Sequence, residues 1–590
     1  MRRKRISILV SVVLAISLGM LSAPKPALAT DYTWTGATST DWGTASNWSP
    51  SVVPGSGDTA TIPDVSSGSS RYPTITASVT IAGLTINSGA SLTIGSGDSL
   101  TLTGNFTNNG NFTATGQTVT FTGTATQTVS GSGTTTFGNI VVNMGTSNAN
   151  VLDIQAVITM ANGGLTLTNG TFKLSSNSTI TPFTTGPTIP ATAGFWVNGG
   201  SVSTGHLTWT LEGLLRVSDG TLNVGTNSGN SVNYDSGSII TIEGGALSIA
   251  GRLSRRTTTQ TTTYNQSGGT VTVVTVGSGS GDYAGFDIGK TGSSFTMSGG
   301  MIVIQQETSC TSGDYLNLAS TYNVTGGTLQ IGNSNTPDAQ TIEINSTAPV
   351  WDLTVDGSTG ETTKPTAQLL TNGLNINGDL TIQTGTTLDV GTNTIFNVSG
   401  TMTNNGTLKQ TKTVNQSATT SFLNVSTTKY YGVEITLGDV GDMGSTVVSI
   451  KGNQTCGTAG TLPNAVKRCY EITPTTPISA TITFYYRSGE ANNNTSPNVY
   501  HWNSSTSTWD LQTLVGRGGS GDGMYIEASG ISSYSPFTLK DDQPTAVALS
   551  SFTAHSIASQ PTFSPWQWLA LAGAVVAFGG VAVARGSLRR

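Results

Sequence analysis

Short segments in which hydrophobic side chains alternate with small or polar ones run through most of the chain. Residues 91–102 read SLTIGSGDSLTL, and Leu92, Ile94 and Leu100 are each followed or preceded by a single threonine or serine. A period of two predicts strands with one buried and one solvent-facing side. Each segment covers four to seven residues and ends at Gly or Asn, which favour tight turns. The pattern therefore predicts many short strands over residues 79–410.

These segments recur at a regular distance. From Gly170 to Gly327, a glycine before a strand start returns in six steps of about 26 residues. Four copies share an aromatic residue, two variable residues, Asn, Ser or Thr, and two glycines; they are 195–200, 264–269, 295–300 and 322–327. We expect the aromatic ring to stack on its counterpart in the next turn, and the glycines to adopt positive φ at a corner.

A repeat of this length with several strands in each copy is typical of a β-solenoid, or parallel β-helix. The predicted solenoid covers residues 79–412. About 13 turns at about 4.8 Å each give a rod roughly 60 Å long. A row of immunoglobulin-like sandwiches is the alternative, but the chain has no 90-residue period and no Cys-Trp-Cys pattern.

A solenoid needs caps, because open strand edges invite aggregation. The preceding segment, residues 30–78, is rich in tryptophan and contains Trp34, Trp42 and Trp48. We interpret it as an N-terminal cap packed by three indoles, with a sugar-binding patch as the alternative.

The composition and the strand pattern of the chain change after Lys412. Residues 413–545 have more charge and longer strands, which predicts a small antiparallel β-sandwich. Cys456 and Cys469 lie in it and are candidates for a disulfide, leaving Cys310 unpaired and buried. Tyr500, Trp502 and Trp509 alternate along a predicted hairpin. They serve either as a packed face or, alternatively, as a carbohydrate-stacking surface.

The N-terminus has the features of a secretory leader over residues 1–29. Basic residues at 2–5 precede an apolar run at 6–20 and the sequence Ala27-Leu28-Ala29. This order predicts export with cleavage after Ala29.

The C-terminus predicts a membrane anchor. A linker at 546–567 precedes an uncharged apolar segment at 568–584, which is just long enough to span a bilayer as a helix. The basic tail 585–590 carries Arg585, Arg589 and Arg590 and is expected to stay in the cytoplasm, with the body outside. The full predicted fold class is thus all-β, a β-solenoid followed by a β-sandwich, plus one C-terminal transmembrane helix.

Charge is sparse, at 9% of residues. A long amphipathic helix needs a charged face, and this chain has too few charged residues to supply such faces. Helical bundles and Rossmann enzymes are therefore disfavoured. Five of the 25 basic residues lie in the leader and three in the tail, while the 31 acidic residues all lie between them. The exported body carries a net charge of about −14, which repels nucleic acid.

Residues that carry catalytic or metal chemistry are few. The three histidines fit no metal or facial-triad spacing, and we expect no cofactor. Residues 518–523 read GGSGDG and match one unit of a calcium-binding nonapeptide repeat, so Ca²⁺ is the single metal considered. The threonines at alternate positions of 118–128 are expected to lie along one strand. An ice-binding face needs a row of threonines repeated in every turn, so ice binding is disfavoured.

One charged cluster is dense enough to test for catalysis. Arg252, Arg255, Asp282, Asp287 and Lys290 lie about one turn apart and are candidates for a shared groove. A glycosidase needs two carboxylates facing one cleft, and a lyase needs a base near acids that hold Ca²⁺. The alternative is a set of solvated turn charges.

Two segments resemble known families. The Trp-rich segment together with the predicted solenoid after it resembles exported bacterial β-helix proteins, including autotransporter-associated repeat and adhesin-like proteins. The hexapeptide 561–566 resembles the C-terminal sorting tails that begin Pro-Thr-Leu-Ser-Glu-Trp and are linked to exosortase-type processing. The matching residues of that tail are Pro561, Thr562, Ser564 and Trp566, with Phe563 and Pro565 in place of Leu and Glu.

Together these observations predict a structural or adhesive protein outside a bacterial cell, and not an enzyme. Its expected partners are the membrane, through the C-terminal helix, and glycans or other surface proteins. A β-helix polysaccharide lyase or hydrolase is the alternative function. An S-layer-like lattice component is the third.

Overall fold

A computed structural model describes residues 29–278, 281–357, 364–393, 396–423, 432–438, 441–456 and 462–542. The chain divides into two units at Asp541, and the fold below is that of the first unit. Within the described residues the secondary structure is β-strand apart from three 3-10 turns, Ala45–Asn47, Ser488–Glu490 and Gly521–Gly523.

The strands form four sheets in the described part of the chain. The large sheet contains Asp31–Trp34, Trp48–Ser49, Thr59–Ile62, Thr74–Ile75, Val79–Ile81, Gly83–Ile86, Ser91–Ile94, Ser99–Leu102, Phe106–Asn108, Asn111–Thr122, Gln127–Ser130, Thr134–Asn143, Val151–Ile154, Ile158–Met160, Leu165–Leu174, Thr179–Ile180, Ala193–Thr204, Leu214–Val224, Ser238–Ile242, Ala246–Ile249, Thr262–Gln266, Thr270–Val273, Ser294–Ile304, Thr321–Ile331, Asp352–Val355, Leu380–Ile382 and Met402–Asn404.

The second sheet contains Thr188–Ile189, Trp209–Leu211, Val232–Tyr234, Leu253–Arg255, Phe286–Ile288, Tyr315–Asn317, Thr341–Ser346, Thr366–Leu369, Thr387–Asp389, Thr407–Val414, Gly444–Gly452, Arg468–Pro474, Phe537–Lys540, Asn498–Asn503 and Thr508–Leu511. A two-stranded sheet pairs Leu374–Ile376 with Phe396–Val398. The five-stranded sheet contains Thr419–Phe422, Val433–Leu437, Ala480–Tyr486, Met524–Ile531 and Thr513–Gly518.

Parallel pairing between successive turns makes a β-solenoid of about 15 turns, which confirms the predicted solenoid. One column of inward positions, followed from turn to turn, is Tyr32, Ala60, Leu84, Phe106, Val129, Ile154, Leu174, Val197, Val217, Ile242, Gln266, Met297 and Val324. The length of a turn varies along this column, since the step from Ile154 to Leu174 is much shorter than the step from Gln266 to Met297. The predicted alternation holds within each strand, because Leu92, Ile94 and Leu100 are all buried.

The repeated glycines form a corner of the solenoid, as the sequence predicts. The second glycine of each pair has positive φ, which is +64° at Gly269 and +78° at Gly300. A β-carbon added to Gly269 would lie 2.5 Å from the carbonyl oxygen of Gly244, on the turn before. Glycine is therefore required here both by the backbone conformation and by the close stacking of the corners.

The aromatic positions of the repeat stack in part. The rings of Tyr264 and Phe295 lie 5.4 Å apart and are tilted by only 7°. Tyr322 follows Phe295 in register, but its side chain is 48% exposed. The expected stack therefore ends at Phe295, because Tyr322 points away from the core.

The Trp-rich segment closes the N-terminal end of the solenoid. The strand Asp31–Trp34 pairs in parallel with Thr59–Ile62 and antiparallel with Trp48–Ser49, which ends the parallel ladder. Trp48 lies with its ring 5.1 Å from Trp34 and 4.6 Å from Trp42, and all three indoles are buried. The cap thus has its own core, and its indoles are not accessible to a sugar.

The other end of the solenoid is closed by the sandwich. Thr407–Val414 pairs in parallel with the last turn and antiparallel with Gly444–Gly452, so the second sheet continues into the sandwich. The five-stranded sheet packs on it, with Phe484 5.2 Å from Phe537. The sequence-based boundary at 412 and 413 falls inside a shared strand.

The predicted fold class is wrong in one element, the transmembrane helix. The structure is an all-β solenoid, and none of its helices in the described residues is long and apolar enough to cross a membrane. The apolar residues of the described part lie in short strands. The segment 568–584 itself lies outside the described residues, as do residues 1–28 of the leader and the linker 546–567 with Pro561, Thr562, Ser564 and Trp566. The basic tail with Arg585, Arg589 and Arg590 lies outside them as well.

Candidate functional site

The structure brings part of the charged cluster together on the second sheet. Arg255 and Asp287 lie on successive turns, with Arg255 Nε 3.0 Å from Asp287 Oδ1 and Arg255 Nη2 3.2 Å from Oδ2. The Asp287 side chain is completely buried and also accepts a hydrogen bond from the amide of Gly289. Burial raises the pKa of Asp287, and Arg255 opposes this shift.

The other cluster members differ in exposure. Arg252 is buried, and its Nη2 donates to the carbonyl of Gly281 at 3.4 Å. Desolvation lowers its pKa. Asp282 is exposed and Lys290 is half-buried. General acid–base chemistry on a glycan needs two carboxylates that reach one cleft, and here the carboxylate nearest the arginines is enclosed in an ion pair.

Asp314 is a buried acid beside this cluster that sequence reasoning missed. Its carboxylate accepts hydrogen bonds from the amides of Thr308 and Glu343, each at 2.6 Å. Burial nevertheless raises its pKa to about 7. Asp314 and Glu343 are 29 residues apart in sequence and meet because they lie on successive turns, so no local motif marks them.

The sandwich holds the disulfide and the aromatic hairpin. Cys456 and Cys469 are bonded, with their Cα atoms 5.1 Å apart. Trp502 and Trp509 are paired across the hairpin, their rings lie 5.4 Å apart, and both pack against the disulfide. One face of the hairpin is therefore a small apolar cluster of two half-buried indoles and the disulfide.

A polar cavity of about 510 Å³ opens beside this hairpin. We call it the hairpin pocket; its lining consists of His501, Trp502, Asn503, Ser504, Ser505, Asp510, Gln512, Gly530 and residues 532–535. Asp510 Oδ2 accepts from Asn503 Nδ2 at 2.9 Å, and the hydrogen bonds of this carboxylate lower the pKa of Asp510. Among the described residues the pocket thus presents one ionised carboxylate, amides and hydroxyls, and its lining contains no Lys or Arg.

His501 supplies a buried nitrogen at this pocket. The residue is 8% exposed, and its ring packs 5.0 Å from Phe537. The imidazole donates to the backbone carbonyl of Tyr534, while Nε2 has no hydrogen-bond partner among the described residues. Desolvation lowers the pKa of His501, so at neutral pH the ring is uncharged and Nε2 is an acceptor.

The candidate calcium unit forms a short turn. Gly521–Gly523 is a 3-10 turn, and Asp522 on it is exposed. In the part of the chain that the structure describes, no group of three His, Cys, Asp or Glu side chains is placed to hold a metal ion.

Threonines form columns across the first turns of the solenoid, and no local motif marks these columns. One outward column consists of Thr74, Thr93, Thr113, Thr136 and Thr159. A second contains Thr80, Thr101 and Thr120. We call these two columns the threonine face; between Arg71 and Asp153 the sequence has a single charged residue, Asp98.

The N-terminal part of the solenoid is similar to a known domain family. Residues 33–171 match a family model described as a domain of unknown function, DUF8693. No curated protein and no solved structure matches the chain. The matched residues comprise most of the cap and the turns that carry the threonine face. The fold as a whole defines the class, a β-solenoid closed at both ends.

Proposed function

We propose that the protein is an exported structural or adhesive rod of a bacterial cell, with the solenoid as a rigid spacer. The observation that carries this proposal is the continuous parallel ladder of about 15 turns, closed by the Trp cap and by the sandwich. At about 4.8 Å per turn the ladder extends roughly 70 Å. Such a ladder resists bending, since each turn is hydrogen-bonded to both neighbours.

The threonine face is the surface we assign to adhesion. Its side chains are exposed or half-exposed and repeat once per turn, and the surrounding segment is almost free of charge. A regular array of hydroxyl and methyl groups suits a neutral, repetitive partner such as a polysaccharide surface. Charged polymers gain little binding free energy there, because the face offers no charged side chains to pair with.

Export and adhesion are tested separately. Expression in a bacterium with the native leader should yield an extracytoplasmic protein that begins at Thr30, read by N-terminal sequencing. Protein retained in the cytoplasm with an intact leader would contradict export.

For adhesion, retention of the full chain on insoluble neutral polysaccharide is compared with that of a variant carrying Glu at Thr93, Thr113 and Thr136. A matched control carries Glu at Thr354, Thr381 and Thr403, a threonine column on later turns. The first variant should lose retention and the control should keep it. Equal retention of both would remove the threonine face from the proposal, and no retention of the unmodified protein would leave only the structural role.

A further inference from the structure

We infer that the hairpin pocket is a second binding site, selective for a neutral sugar unit. This inference rests on the proposed adhesive function and names a ligand class for a part of the molecule away from the threonine face. It stands on three observations: a polar cavity large enough for a sugar ring, a lining residue, His501, with a buried unpartnered acceptor, and a described lining without Lys or Arg.

The acceptors in the pocket favour a ligand with several hydroxyl donors. His501 Nε2 is a buried acceptor without a partner among the described residues, and a buried polar atom left unpaired costs free energy. Asp510 uses one bond from Asn503 and one from Thr508, which leaves further lone pairs for a ligand. His501 and Asp510 are paired across the hairpin, so their side chains lie on the same face of it.

The remaining walls fit the same ligand. Trp502 contributes to the lining, and its indole is held by Trp509 and the disulfide. Ser532, Ser533 and Ser535 add hydroxyls. An anionic sugar is disfavoured, because Asp510 would repel its carboxylate or sulfate and no cation in the described lining would offset this.

The test uses the full chain and a panel of immobilised neutral oligosaccharides and uronate oligosaccharides, followed by titration calorimetry with the free sugar. Asp510→Asn keeps the shape of the side chain but removes its charge and one acceptor. Asp522→Asn, an exposed acid of the same sandwich, controls for the loss of one negative charge. Thermal melting of each variant verifies folding.

We expect a neutral oligosaccharide to be retained, the free sugar to compete for it, and Asp510→Asn to weaken binding by at least about tenfold, as for a lost charge-assisted hydrogen bond. Asp522→Asn should bind as the unmodified protein does. Preference for uronates, or equal binding by the two variants, would overturn the inference. Binding that survives Asp510→Asn but is lost on charging the threonine face would place adhesion on the solenoid and leave the proposed function intact.

Discussion

Arg255 and Asp287 form a 3.0 Å ion pair between successive turns of the solenoid, and the carboxylate has no exposed surface. The phenol of Tyr234 donates to the backbone carbonyl of the same aspartate at 2.6 Å. The pair therefore joins the turns that carry residues 255 and 287 inside the second sheet. Its enclosure indicates a structural role for this pair.

Removing one partner of this pair should be costly. Arg255→Met leaves Asp287 buried and uncompensated, and we expect a loss of about 3–5 kcal/mol in the free energy of unfolding. Lys451→Met breaks the half-exposed pair with Glu471 and should cost about 1 kcal/mol or less. Urea unfolding followed by circular dichroism measures both; similar losses would show that burial of the carboxylate does not matter.

The glycine corner gives a second prediction. Gly269→Ala combines a φ of +64° with a clash against the turn before, and we expect destabilisation of about 1–3 kcal/mol or more. Gly205→Ala, with no described atom within 4 Å of the added carbon, should change stability by about 0.5 kcal/mol or less. The midpoint of thermal unfolding compares them, and an unaffected Gly269→Ala protein would refute the close stacking of corners.

The Trp cap should protect the solenoid edge. Trp48→Ala removes the ring that contacts both Trp34 and Trp42 and the bond from its Nε1 to the Trp42 carbonyl. We expect a loss of about 3–5 kcal/mol and association through the exposed strand edge, seen as larger species by light scattering. Trp509→Ala, at a half-buried position of the sandwich, should remain monodisperse. Association of both variants alike would indicate a general effect of losing an indole.

Stability should also depend on pH through Asp314. Its pKa is raised to about 7 in the folded protein from an unfolded value of 3.8, so between these values the folded state binds more protons. The free energy of unfolding should therefore fall as pH rises from about 4 to about 7. Burial also raises the pKa of Glu343, whose carboxyl lies close by, and this acts in the same direction. Urea unfolding at pH 5 to 8 measures how the free energy of unfolding depends on pH. This dependence should be weaker for Asp314→Asn than for Asp522→Asn, and the same dependence in both variants would exclude Asp314 as the cause.

Much of the fold follows from local pattern. The alternation of Leu92, Ile94 and Leu100 predicted that they face inward, and the paired glycines predicted a corner; both features are present. The end of the aromatic stack at Tyr322 could not be foreseen, because the pattern is the same in all four copies. The sequence also predicted a transmembrane helix, and the structure corrects this part of the fold class. It is an all-β solenoid, and none of its helices among the described residues is long and apolar enough to cross a membrane.

The candidate sites depended on contacts that a sequence does not encode locally. The cluster of Arg252 to Lys290 was visible as charge at one-turn spacing, but only the packing of turns shows that Asp287 is enclosed. The hairpin pocket needs Gly530 and residues 532–535 to lie beside His501, which is on a separate strand earlier in the chain. Neither feature has a motif, because each is made by side chains from separate strands.

The sequence alone determined the strands, their inward faces, the glycine corners and the low charge of the threonine face, since these depend on residue type and a period of two. Tertiary structure decided which threonines share a column, which charge is buried and how the solenoid ends. Turns differ in length, as the steps from Ile154 to Leu174 and from Gln266 to Met297 show, so register between turns is not readable from a fixed period. Register is set by hydrogen bonding and core packing between turns, and these alone bring distant residues together.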